Sequence, residues 1–114
     1  MDIDLGDIGG SVTCLRVYGA LDGDDSAADG VVRRAGTGEA RARDAAIDLS
    51  HVSSVSAAGL RWLLALNDNL RSRGRLLVLF AVPPAVRDAL HEAEIDRVIP
   101  VAADEVSAVE RLFT

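Results

Sequence analysis

The feature that most constrains this chain is a run of seven consecutive apolar residues, Leu76-Leu77-Val78-Leu79-Phe80-Ala81-Val82, placed between Gly74 and Pro83-Pro84. It is far too short to cross a bilayer, which takes about 20 residues. It has no polar side for water, so it reads as a strand buried on both faces. Such a strand needs cover on each face. Its neighbours are helical, so the cover is helices laid on a sheet with parallel pairs. The chain has 114 residues, which is one ordinary domain.

The flanking segments agree. Leu60, Leu63, Leu64, Leu66 and Leu70 recur at helical spacing. They predict a helix that Ser56 can cap, running to about Arg73 and stopped by Gly74. Pro83-Pro84 suits the first turn of a second helix, whose inner stripe is Val86, Ala89, Leu90 and Ala93. Residues 95–101 form a return segment with a short strand. Asp104 can cap a last helix, with Val106, Val109 and Leu112 facing inward.

Upstream, residues 11–18 alternate with period 2 and predict a strand that Gly19-Ala20-Leu21-Asp22 closes. Ala45 to Leu49 is a short buried strand, and Val52 and Val55 continue its apolar signal through a turn. Residues 1–10, acidic and Gly-rich, read as a short or frayed lead-in, and residues 11–114 as the domain. Between the strands, Asp24, Asp25 and Ser26 can cap a helix carrying Val31, Val32 and Ala35 inward. Gly30, Gly36 and Gly38 each cost such a helix about 1 kcal/mol relative to Ala. The expectation for 23–44 is a short, poorly anchored helix and then a mobile link. The predicted class is α/β: a mixed sheet of four to five strands with packed helices.

Hydrophobic residues make up 49% and charged residues 26%, with a formal net charge of −6. That composition supports a core and argues against disorder. A negative domain repels phosphate backbones and anionic lipid, so neither nucleic acid nor a membrane surface is an expected partner. Cys14 is the sole cysteine. It leaves no internal disulfide and no cysteine zinc cluster, and it reads as a small buried core residue. No basic stretch leads into an apolar run at the N-terminus, so a cytoplasmic location is expected.

No catalytic constellation stands out, and an enzyme is not expected. Ser53, His51 and Asp48 crowd one short segment and lack the Gly-x-Ser-x-Gly elbow of a serine hydrolase. His51 and His91 are far apart in sequence, a poor metal site, and both read as surface residues. Gly36-Thr37-Gly38 lacks the lysine and the preceding strand of a phosphate-cradling loop. No cofactor is implied.

Three segments carry a family resemblance: Gly19-Ala20-Leu21-Asp22, Ala46-Ile47-Asp48-Leu49-Ser50-His51-Val52, and Val55-Ser56-Ala57-Ala58-Gly59-Leu60. They are followed by the long helix, the apolar strand and Pro83-Pro84-Ala85-Val86. In this order and spacing the chain resembles the STAS domain, in particular the bacterial anti-sigma factor antagonists, from about residue 11 to 112. The resemblance implies a protein-binding module whose partner is an anti-sigma factor that is also a serine kinase. In that family an Asp-Ser-Ser/Thr/Ala-Gly segment opens the long helix, and the kinase phosphorylates the serine before the glycine to end binding. A phosphoserine adds about −1.5 to −2 charges at a helix N-terminus, enough to change an interface fitted to a neutral hydroxyl.

This chain departs from that pattern. Ser56 stands where the family has Asp, Ala57 where it has the first Ser, and Ala58 where it has the phosphoacceptor; Gly59 follows as expected. A methyl group cannot accept phosphate. The switch is absent, or has moved to Ser50, Ser53, Ser54 or Ser56; the ordinary reading of Ser56 is an N-cap. The expected partner-binding residues are Asp22, Ser56, Ala57, Ala58, Gly59 and Trp62. Asp22 matches the family's turn acid, with a solvated turn as its plainer reading. Trp62, the sole Trp, shares a helix face with Ala58 and falls toward the flank of the inward stripe, either exposed for a partner or packed at the core edge. A second reading on the same fold is an accessory subunit of a lipid-transport ATPase complex, which the Ile47 to Val55 segment also suits, although a Thr tends to stand there at the position of Ala57. A small-ligand binder or enzyme is a third.

Overall fold

The computed structural model describes residues 2–8, 12–22, 44–72 and 74–112. The helix and link expected within 23–43 lie outside them. The described strands are β1 (Asp2–Ile8), β2 (Val12–Leu21), β3 (Asp44–Val55), β4 (Leu77–Phe80) and β5 (Val101–Ala102). The helices are α1 (Ala57–Ser72), α2 (Pro84–Glu92) and α3 (Glu105–Leu112), with a 3-10 turn at Ile95–Arg97. The strands form one mixed sheet in the order β1-β2-β3-β4-β5. β1 runs antiparallel to β2, and every other pair is parallel.

The apolar run behaves as its composition requires: all four β4 residues are buried. Alternate side chains feed two cores. On one face Leu77 and Leu79 join Leu15, Val17, Ile47 and Leu49 beneath α1 and α2. On the other, Val78 and Phe80 join Val12, Cys14 and Ala46 beneath Ala108 and Leu112 of α3. The strand is shorter than the run, because Leu76 is 51% exposed and Ala81 takes a positive φ of 54°.

The helix ends follow local chemistry. Gly74 has φ 73°. Its N–H donates to the Arg71 carbonyl at 3.0 Å and that of Arg75 to the Leu70 carbonyl at 2.9 Å, the paired bonds of a Schellman stop that favours glycine. Pro84 opens α2, and Val86 and Leu90 are its buried residues. Ala93, expected on that inner stripe, is an exposed cap residue instead. Asp104 caps α3 by accepting the Ser107 N–H at 2.8 Å.

Three expectations need correction. Residues 1–10 are not a frayed lead-in: Asp2–Ile8 is an edge strand in full register with Val12–Tyr18. The single domain therefore begins well before residue 11. β3 does not end near Leu49 but runs to Val55, because β2 continues beside it as far as Leu21. Val106 does not face inward; it is 67% exposed while Ala108 is fully buried. Two residues of helix turn a side chain through about 200°, so the face that buries Ala108 turns Val106 out.

Candidate functional site at the start of the long helix

β2 and β3 end together, with Leu21 paired to Val55, and α1 starts two residues later. The junction is tied by one acceptor. The Leu21 carbonyl accepts the Ser56 N–H at 3.0 Å and the Ser56 hydroxyl at 3.4 Å. The Ser56 Oγ in turn accepts the Gly59 N–H at 3.2 Å. Ser56 is thus the N-cap, and its hydroxyl is engaged as donor and as acceptor.

Gly59 is the residue that lets this happen. A Cβ there would collide with the Leu21 carbonyl oxygen, 2.7 Å from its carbonyl carbon and 3.1 Å from its Cγ. The strand backbone lies against the first turn of the helix, and only hydrogen fits between them. Gly19 serves the same strand differently: its φ is 80°, with open space around it, where the β2–β3 register shifts. The Gly-x-Leu-Asp turn and the Ala-Ala-Gly helix start are two halves of one joint.

The expected site residues divide at this joint. Ser56 and Ala57 are exposed and Ala58 is half-buried. Asp22 is exposed and directly follows Leu21, so it sits at the same edge. Gly59 is buried and serves the joint itself. Trp62 corrects the expectation of a flanking contact residue: it is 4% exposed and packs in the core with Leu63 and Leu66. Its indole N–H has no acceptor there, so it is held by apolar area rather than by a polar handle.

The helix start carries no acid in its first turn, so its dipole is not compensated from within the helix. What it offers is small: two methyl groups, a capped hydroxyl and the Asp22 carboxylate beside them. Beyond it lie features the sequence did not flag. The exposed ring of His51 stacks on the half-buried ring of Tyr18, centroids 5.0 Å apart and planes 19° apart. Below that pair Arg16 Nε approaches Asp48 Oδ2 at 3.7 Å. The Leu21 carbonyl had no sequence signal at all, since every residue carries one.

No ready catalytic centre forms around His51. The Asp48 Oδ1 accepts the Ser50 N–H at 2.9 Å, and the His51 ring lies on Tyr18. Among the described residues no group of His, Cys, Asp or Glu is placed to hold a metal, and no helix is long and apolar enough to cross a membrane. Clefts of about 450 Å³ and 330 Å³ lie beside α3 and share Arg111; neither is lined by an expected site residue. Cys14 is buried, and burial pushes its thiol pKa up.

A mixed sheet covered on both faces, with a helix start pinned to the end of the neighbouring strand, defines an α/β interaction-module architecture. The chain belongs to the STAS family: the family model described as Mlab, STAS domain matches residues 6–101. No curated protein sequence matches it significantly. Solved structures share the fold. An anti-sigma-factor antagonist (STAS) domain protein from Planctomyces limnophilus is 17% identical, with 100% of each chain covered and a TM-score of 0.83. An anti-sigma factor antagonist from Mycobacterium paratuberculosis is 23% identical over 99% of this chain and 94% of that one, at 0.74. The anti-sigma factor antagonist SpoIIAA, in its unphosphorylated form, is 17% identical over 98% and 96%, at 0.75.

Proposed function

We propose that this chain is a protein-binding regulatory module that acts as an anti-sigma factor antagonist. Its partner is an anti-sigma factor of the serine-kinase type, and the contact is the start of α1 with Asp22 beside it. The observation that carries this reading is the joint: Gly59 pressed on the Leu21 carbonyl holds Ser56, Ala57 and Ala58 at the surface in one geometry. A preorganised surface spends little entropy on docking. With Ala58 at the acceptor position, binding is not ended by phosphate there. The accessory-subunit reading draws on β3, whose Ile47 to Val55 segment leads into the same helix start, and on the lack of an acceptor hydroxyl at Ala57 and Ala58, which suits permanent docking.

The test is a titration of wild type and Ala58→Glu against each purified serine-kinase anti-sigma factor of the source organism, with melting curves alongside. A carboxylate in the first turn suits the helix dipole, so the melting temperature should hardly change. In a close-packed interface the same carboxylate is desolvated and unpaired, which is costly. Binding should therefore weaken by tenfold or more, on the order of 1.4 kcal/mol. Unchanged affinity would remove the helix start from the interface. Binding to a membrane ATPase complex in place of any anti-sigma factor would favour the accessory-subunit reading.

A further inference from the structure

We infer that the stacked pair Tyr18–His51 is a second anchor of the docking surface and determines its selectivity; this rests on the reading of the helix start as that surface. The pair is built into the same joint. Tyr18 lies opposite His51 in the β2–β3 register, and Leu21, three residues further along β2, carries the carbonyl that holds Ser56. At about 3.3 Å per residue the pair stands about 10 Å along the strand from that carbonyl. A standard interface covers about 800 Å² on each partner, a disc of about 16 Å radius. A partner centred on Ser56 to Ala58 therefore reaches the pair.

What lies between is small. Gly19, Ala20, Ser53 and Ser54 are exposed, as are Ser56 and Ala57. None of them offers a ring or a long apolar chain. Binding energy at interfaces concentrates in a few large, rigid side chains, above all aromatic ones and Arg. The expected aromatic contact, Trp62, is buried in the core. On this flank the role falls to the His51 ring, exposed and already fixed in direction by Tyr18. Two register shifts in β3 place it there, one between Arg16 and Tyr18 and one between Gly19 and Ala20. A bulge re-aims side chains in this way. A fixed ring loses little freedom on binding, and it discriminates between partners because only a surface with a matching slot can accept it.

The experiment titrates wild type, His51→Ala, His51→Phe and Ala58→Glu against the purified anti-sigma factor that the wild type binds most tightly, with a melting curve for each variant. His51 is exposed, so none of its variants should unfold the chain. The expected result is about a tenfold loss of affinity for His51→Ala, recovered to within about threefold by His51→Phe, which keeps a stacked ring. Wild-type affinity in His51→Ala together with a loss in Ala58→Glu overturns the anchor and leaves the helix-start reading standing. A loss in His51→Ala with no change in Ala58→Glu upholds the anchor and overturns the helix start as the centre. No change in either variant overturns both.

Discussion

Replacing Gly59 with alanine sets two physical effects against each other. Gly to Ala inside a helix normally stabilises by about 1 kcal/mol. Here the new methyl meets the Leu21 backbone, and its position lies 2.7 Å from the carbonyl carbon. A strand backbone cannot rotate aside as a side chain can, so α1 must lift or the end of β2 must shift. Overpacking of this kind costs about 1–3 kcal/mol. Lifting the helix also strains the two bonds from Ser56 to the Leu21 carbonyl, each worth about 1 kcal/mol. Against the helical gain, the net loss is about 2–4 kcal/mol. For a chain of this length the unfolding entropy is about 0.24 kcal/mol/K, so the melting temperature should fall by about 8–17 °C. Urea titration followed by the fluorescence of Trp62, the sole Trp and buried, measures the change. A Gly59→Ala protein as stable as wild type, or more stable, would refute the close approach and the rigid joint built on it.

Other outcomes follow from the same geometry. Incubation with ATP and a cognate anti-sigma kinase should leave the helix start unmodified, because Ala58 has no hydroxyl and that of Ser56 is engaged in the cap; stoichiometric phosphate on Ser54 or Ser56 by mass spectrometry would show a displaced switch. Asp104 is held below its ordinary value of 3.8, chiefly by the Ser107 N–H it accepts. A depressed folded pKa stabilises above the unfolded value and loses that effect as pH falls through the folded one. Asp104→Asn keeps a capping oxygen, so its stability should fall less below pH 4 than that of wild type in acid-unfolding curves. Burial raises the Cys14 pKa, so Cys14 should react with a thiol reagent only as fast as the chain unfolds; rapid labelling of the native protein would contradict its place in the core.

The sequence by itself determined the elements whose causes are local. Seven apolar residues in a row demand burial on both sides wherever they lie, and β4 is buried throughout. Leucines at helical spacing, Gly74 after them, Pro83-Pro84 and Asp104 act over one or two turns, so α1, α2 and α3 were legible with their ends. So was the family, because the Gly-x-Leu-Asp turn and the Ala-Ala-Gly start keep their order. Only the tertiary structure decided what depends on a partner distant in sequence. Asp2–Ile8 is a strand because β2 offers a free edge. Trp62 is buried because Leu63 and Leu66 carry its side of α1 onto the sheet. Val106 is exposed because α3 touches its face of the sheet through a narrow strip. Gly59 is indispensable because the carbonyl of Leu21, 38 positions earlier in the sequence, lies where a methyl would go. Local patterns fix a residue's preference for a helix, a strand or an apolar setting, but which backbone comes within van der Waals reach of it is settled only when the chain closes on itself.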